Sequence, residues 1–190
     1  AQQTACAPGK YQSSVQSSCT DASAGYYVPD SRNENSKKIV AGYFHTCAIL
    51  DDGSVSCWGN NGYGQLGDGT NTDRHTPTPT SSLGPGRTAV AITAGTHHTC
   101  ALLDDGTVSC WGWNGKGQLG DNTYTDRNTP TATYPSGPKL AVAITAWNWH
   151  TCAILDDGSV SCWGSNDHGQ LGDGTNIDEN TPTPTSSLGT

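Results

Sequence analysis

The sequence predicts an all-β chain of three propeller blades that form an incomplete, open ring, preceded by an extended N-terminal arm containing cysteines. Three observations carry this reading: the weight of turn residues, a threefold internal repeat, and short strand-like stretches within each copy. Gly and Pro supply 34 of the 190 residues, about 18% against roughly 12% in average usage, which favours frequent turns over long helices. The strings HTCAILDDGSVSCWG, HTCALLDDGTVSCWG and HTCAILDDGSVSCWG begin at His45, His98 and His150, and a Gly-Gln-Leu-Gly-Asp string follows each at Gly64, Gly117 and Gly169. A period of 53 and then 52 residues belongs to solenoids, propellers or arrays, whose units cannot bury their faces alone.

Each copy reads as four strands. The first is short and apolar (39–41, 90–94, 142–146). The second runs from the His to the Leu before the paired aspartates, and the third is Ser-Val-Ser-Cys-Trp. The fourth holds the Thr-Pro stretch (76–80, 129–133, 181–185). Proline lacks the amide donor that a central strand needs, so this segment is expected at an edge or in an irregular connector. Four strands per fifty-odd residues is the make-up of a propeller blade. The expected boundaries are 37–89, 90–141 and 142–190 for the blades and 1–36 for the arm, whose last stretch, DSRNENSKK, reads as a linker running to Lys38.

Between strands two and three, Asp51-Asp52-Gly53 suits a three-residue loop in which a type I turn is closed by a left-handed Gly. That loop pairs Leu50 with Ser54. Counting outward sets Cys47 opposite Cys57 at a non-hydrogen-bonded position, with Cα atoms about 4.5 Å apart, within disulfide range. Cys100 with Cys110 and Cys152 with Cys162 follow in the same way. Buried free thiols are the competing reading. Zinc sites favour close pairs such as C-x₂-C, which are absent. A further bridge between Cys6 and Cys19 would use all eight cysteines, and such bridges belong to an oxidising, extracellular compartment.

The recurring Ala-Gly-x-x-His (Ala41, Gly42, His45; Ala94, Gly95, His98), the Asp-Gly after strand two, Cys-Trp-Gly (Trp58, Trp111, Trp163) and Gly-Gln-Leu-Gly closely resemble the regulator of chromosome condensation (RCC1) repeat, a propeller blade. The likeness spans about residues 37 to 190. The third copy departs from it, with Trp147 and Trp149 in the usual glycine neighbourhood. Known members include a nuclear exchange factor for a small GTPase, signalling proteins and secreted binding proteins, so the fold alone does not decide the function. The expected disulfides, the acidity and the short length argue against exchange activity. Residues 1–36 resemble a fragment of the ephrin-receptor-like cysteine-rich module through Cys6-Ala-Pro-Gly-Lys-Tyr11, Cys19 and Gly25-Tyr26-Tyr27-Val28-Pro29, which implies a secreted context.

Composition and motif searches exclude several functions. No run of about 18 apolar residues exists to span a membrane. Nine Lys and Arg against a net charge of −8 do not suit a nucleic-acid partner. With no Met and no signal-peptide pattern, the chain reads as a mature or excised segment. No nucleotide-binding, hydrolase or zinc-protease string occurs, so no catalytic residue, cofactor or metal is assigned. The pairs Asp51/Asp52, Asp104/Asp105 and Asp156/Asp157 are turn residues. His45, His98 and His150 recur once per blade and read as packing or hydrogen-bonding groups, and Asp68-Gly69-Thr70 and Asp173-Gly174-Thr175 read as turns rather than calcium loops. Trp58, Trp111 and Trp163 belong in an inter-blade core. Trp113, Trp147 and Trp149 break the repeat register and, with Tyr124 and Tyr134, are candidates for an exposed contact surface. Thr76, Thr78, Thr80, Thr129, Thr131, Thr181, Thr183 and Thr185 are candidate O-glycosylation sites, the alternative being bare edge strands. The chain has no Asn-x-Ser/Thr sequon.

If a ring of this type takes about seven blades, three cover only about 150°, leaving apolar faces and strand edges at both ends. Further blades of a longer protein, copies closing a ring, or heterologous stacking into a filament would each cover them. The reading chosen from the sequence is a secreted, non-catalytic structural subunit that assembles with copies of itself into an extracellular fibre or cell-surface appendage. The alternative is an extracellular module that recognises a protein or glycan through the propeller face.

Overall fold

The computed structural model describes residues 10–11, 20–21, 38–133 and 138–186. The chain divides into two units, Ala1–Ser36 and Lys37–Thr190. In the first, strands β1 (Lys10–Tyr11) and β2 (Thr20–Asp21) pair antiparallel. Cys6, Cys19 and the bridge expected between them lie outside the described residues, as does most of the ephrin-receptor-like stretch.

The second unit holds three four-stranded antiparallel sheets, each a meander taken in chain order. Sheet one is β3 (Ile39–Ala41), β4 (His45–Ile49), β5 (Val55–Gly59) and β6 (Arg74–Pro79). Sheet two is β7 (Ala89–Ala94), β8 (His98–Leu103), β9 (Val108–Gly112) and β10 (Arg127–Ala132). Sheet three is β11 (Ala141–Trp147), β12 (His150–Leu155), β13 (Val160–Gly164) and β14 (Glu179–Pro184). The first strands lie against one another, β7 touching both β3 and β11. The Thr-Pro strands are the outermost strands of their sheets, where a missing amide donor costs least. They begin two residues before the stretch expected from the sequence, because Arg74 and Arg127 already pair with Gly59 and Gly112.

The hairpin loops have the expected geometry. Leu50 N–H donates to the Ser54 carbonyl at 2.8 Å, Gly53 N–H to the Leu50 carbonyl at 2.9 Å, and Gly53 has φ +77°. Cys47 pairs with Cys57, Cys100 with Cys110 and Cys152 with Cys162. All three pairs are disulfide-bonded, with Cα atoms 4.1 Å apart. The carboxylates of Asp52, Asp105 and Asp157 accept bonds from the Ser or Thr two residues on, which is turn chemistry.

Strand alternation sorts each sheet into two faces. His45, Cys47, Ile49, Val55 and Cys57 point one way, and Thr46, Ala48, Leu50, Ser56 and Trp58 point the other. The first set of each blade packs against the second set of the next. Cys47, Ile49, Val55, Cys57 and Leu66 of blade one form one core with Ala101, Leu103 and Trp111 of blade two. The same positions of blades two and three form the other core, closed by Trp163. Trp111 lies over Gly67 and Trp163 over Gly120, so closely that a Cβ on either glycine would fall 2.7 Å from the indole nitrogen. Any side chain there would push the blades apart.

The polar groups of this interface also repeat. The Thr99 hydroxyl donates to the Gln65 carbonyl at 2.9 Å and lies 2.8 Å from His45 Nε2. Thr151 does the same with Gln118 at 3.0 Å and His98 Nε2 at 3.0 Å. Since the hydroxyl proton is given to the carbonyl, the imidazole donates through Nε2 and its Nδ1 is the bare nitrogen. Burial holds the His45 pKa down to about 4, helped by the neighbouring His97. It holds that of His98 down to about 3, helped by His45, His150 and His97. Gly42 and Gly95 accommodate these rings, because a Cβ on them would lie 2.3 and 2.2 Å from Cε1.

The Gly-Gln-Leu-Gly-Asp loop hangs on a buried asparagine in each copy. Asn61 Oδ1 accepts from Leu66 N–H, and its Nδ2 donates to Asp68 Oδ1 and the Thr70 and Thr72 carbonyls. Asn114 and Asn166 hold Leu119 and Leu171 in the same way. Asp68 and Asp121 pair with Arg74 and Arg127 at 2.7 Å, so these carboxylates organise turns. In the third copy Glu179 occupies the arginine's place.

Two outcomes are expected. Replacing Cys100 and Cys110 by Ala removes a short-loop staple worth about 2–3 kcal/mol and lowers the urea midpoint, as read by tryptophan fluorescence. The histidine pKa values lie lower in the folded chain than in the unfolded one, so between pH 6.5 and about 4 the unfolded chain binds protons that the native chain does not. Stability is therefore full above pH 6.5 and falls as the pH drops through that window. The His98→Gln variant should show a flatter midpoint-against-pH curve than the parent.

Candidate interaction surface

The loops at one end of the sheets carry a row of aromatic rings that crosses all three blades. Phe44, His97 and Trp149 each precede the repeat histidine, and their carbonyls accept from Asn60, Trp113 and Ser165 N–H at 2.9, 2.8 and 2.8 Å. This ties the β3–β4 type of loop to the residue after Cys-Trp-Gly in every copy. Along the row, ring centroids are 4.3 Å apart for Tyr43 and Phe44, 6.4 Å for Phe44 and His97, and 5.1 Å for His97 and Tyr63. Tyr63 then lies 6.3 Å from Trp113, which meets Trp149 edge-on at 5.8 Å. Tyr43 is 69% exposed, Phe44 60% and Tyr63 41%. His97 sits in the middle with Nδ1 buried and unpartnered among the described residues, and burial lowers its pKa.

Of the tryptophans singled out in the sequence, Trp113 and Trp149 touch one another within this row. Trp147, two residues before Trp149, is 76% exposed, at the position held by Gly42 and Gly95 in the other copies. There β11 continues to pair Trp147 with His150, and Asn148 takes a left-handed φ of +46°. Asn148 is fastened to blade two, its carbonyl accepting from Thr96 N–H and its Oδ1 from the Thr96 hydroxyl. Tyr124 is exposed but outside the row, and Tyr134 lies outside the described residues. Sequence reasoning missed Tyr43, Phe44, Tyr63 and His97. The available signal was the residue before the repeat histidine, a ring in all three copies.

Among the candidate glycosylation residues, Thr76 and Thr129 are exposed and Thr78, Thr80, Thr131, Thr181, Thr183 and Thr185 are half-buried. The hydroxyls of Thr78, Thr131 and Thr183 donate to the carbonyls two residues back. A cavity of about 350 Å³ opens between blades two and three, lined by Val108, Leu140, Leu155 and Trp163, with Lys139 as its charged side chain. Lys139 is bound to Asp157 at 2.6 Å. No group of three or more His, Cys, Asp or Glu among the described residues could hold a metal ion, and no described helix is long and apolar enough to cross a membrane.

Comparison with known proteins places these features in a family. Two models of the regulator of chromosome condensation (RCC1) repeat match, one at residues 37–65, 89–118 and 142–170, the other at 52–102, 105–154 and 157–190. The chain is 34% identical over 146 residues to the ultraviolet-B receptor UVR8 of Arabidopsis thaliana, covering 77% of this chain and 33% of the receptor. It is 33% identical over 145 residues to the probable E3 ubiquitin-protein ligase HERC4 of Homo sapiens, covering 76% of this chain but 14% of the ligase. The solved structure of yeast RCC1 (Prp20) bound to Kap60 superimposes with TM-score 0.71 at 22% identity, over 81% of this chain and 37% of that one. Human WBSCR16 gives 0.70 at 24%, over 77% and 37%. At that identity the structural likeness establishes the fold alone. The chain thus spans about a third of the length of the plant receptor, and it belongs to the RCC1 repeat family as three blades of an open or incomplete propeller.

Proposed function

We propose that the chain is a non-catalytic recognition module that works outside the cell and binds a protein or glycan through the aromatic end of its blades. The observation that carries this is the row from Tyr43 to Trp149, a run of exposed and half-exposed rings in a fold that buries Trp111 and Trp163 between its blades. Large aromatic side chains are enriched among residues that dominate binding energy. A receptor among the relatives supports a binding role, and the matched part of HERC4 is a small fraction of that ligase. The three disulfides support an oxidising compartment. Thr76 and Thr129, exposed on edge strands, are the first places to look for O-linked sugars.

A second reading is that the chain is a structural subunit of an extracellular fibre. It is favoured by Leu50 and Ile154, which are exposed on the first and third blades where their counterparts are buried between blades.

The first reading is tested by panning the intact chain against immobilised glycans and extracellular proteins, then measuring each captured ligand with the Trp113→Ala and Trp149→Ala variants. A loss of about 10-fold or more in affinity is expected from each, the scale of a hot-spot residue. Ligands that bind both variants as tightly as the parent would overturn it.

A further inference from the structure

We infer that the first blade of one molecule docks on the third blade of a second copy, repeating the contact that joins blades within the chain. This rests on the assembly reading and names its partner and its residues.

The two internal interfaces define what each face requires. The following blade offers Thr, Ala, Leu and Trp: Thr99, Ala101, Leu103 and Trp111, or Thr151, Ala153, Leu155 and Trp163. The preceding blade offers the disulfide, a branched aliphatic pair and the loop leucine: Ile49, Val55 and Leu66, or Leu102, Val108 and Leu119. The first blade carries the same four residue types on its corresponding face, Thr46, Ala48 and Trp58 half-buried and Leu50 exposed. On the third blade the equivalent positions are Cys152–Cys162, Ile154, Val160 and Leu171, of which Ile154 is exposed, Cys152 and Val160 are half-buried, and Cys162 and Leu171 are buried within their own blade. Indeed the fifteen residues from His45 and the fifteen from His150 are identical. The receiving face of blade three is therefore built from the same strand sequence as the face of blade one that already holds blade two.

Exposure identifies these as the halves of an interface. Leu50 is 41% exposed where Leu103 and Leu155 are 3% and 5%, and Ile154 is 46% exposed where Ile49 is 7%. Trp58 is half-buried where Trp111 and Trp163 are fully buried. Over Gly172, the counterpart of Gly67 and Gly120, a Cβ would meet Thr185 of its own blade at 3.6 Å, and no tryptophan among the described residues. Docking seats Trp58 there and brings the Thr46 hydroxyl to the Gln170 carbonyl. It also carries Trp147 and Trp149 to the neighbour's Tyr43 and Phe44, extending the aromatic row. The inner rim of this junction differs from the internal ones because Trp147 replaces a glycine. The contact is heterologous, so it closes into a ring or runs on as a filament according to the rotation between copies. In a geometry of about seven sectors two copies leave one sector empty and a third does not fit, and a rotation that does not close yields a helical filament.

The test is sedimentation velocity and electron microscopy of the parent chain, of Leu50→Asp and of Ile154→Asp, separately and mixed. Both substitutions are at exposed positions, and circular dichroism checks that each variant folds. The parent should associate with rising concentration. Each variant alone should associate on the order of 100-fold more weakly, since a carboxylate would have to be buried in an apolar contact. An equimolar mixture of the two should form dimers and nothing larger, because each partner retains one intact face. A parent that stays monomeric at all concentrations would overturn both this contact and the assembly reading. Polymers that survive both substitutions, or a mixture that remains monomeric while the parent polymerises, would overturn this contact and leave assembly through another surface standing.

Discussion

Every part of this molecule answers to one constraint: a four-stranded sheet with two apolar faces cannot cover either of them with its own residues. The Trp-over-glycine contact between neighbouring blades solves it. An indole from one blade fills the space above Gly67 or Gly120 of the blade before it, and a threonine bridges the same two blades by giving its proton to a glutamine carbonyl and taking one from a histidine. In a repeat protein, stability is the sum of intrinsic repeat terms and such nearest-neighbour interfaces. The middle blade has two of them and each outer blade one. The disulfides act at a different level. They hold β4 to β5 and their counterparts inside one sheet, and their sulfurs then form part of the floor on which the next tryptophan rests.

Against this repeated frame, the differences between copies concentrate where the chain meets its surroundings. The core positions barely change, Ile or Leu replacing one another beside an unchanging Cys, Ala and Trp. The residue before the histidine changes from Phe to His to Trp, and the residue after Cys-Trp-Gly from Asn to Trp to Ser. These substitutions create the aromatic row without disturbing a sheet, since both positions lie in loops that are tied by backbone hydrogen bonds whatever their side chains. The third copy departs furthest. Trp147 takes the place of a glycine, and Glu179 takes that of the arginine that neutralises Asp68 and Asp121 elsewhere. Both departures lie on the blade that has no successor among the described residues.

The fold was legible because its signals are local. Asp-Asp-Gly specifies its own turn, the turn specifies the register, and the register sets the cysteines opposite one another, so β4 and β5 followed from counting. The starts of the Thr-Pro strands were less legible, because Arg74, Arg127 and Glu179 pair with Gly59, Gly112 and Gly164 across a register shift that strand alternation does not reveal. The aromatic row was half-legible. Trp113 and Trp149 stood out by breaking the repeat, whereas Phe44 and His97 did not, because their partnership is between blades and depends on a packing distance that no single copy encodes. The exposure of Trp58, identical in sequence context to Trp163, likewise depends on which neighbour is present rather than on the residues around it.

Amide hydrogen exchange on the intact chain, followed from dilute to concentrated solution, tests the dependence on neighbouring blades most directly. In dilute solution β8 and β9 should exchange slowest, with β4, β5, β12 and β13 less protected because each of their sheets has one uncovered face. As concentration rises, protection in the two outer sheets should climb toward that of the middle one. Equal protection of all three sheets in dilute solution, unchanged on concentration, would mean that each blade is stable without its neighbours and would contradict the account.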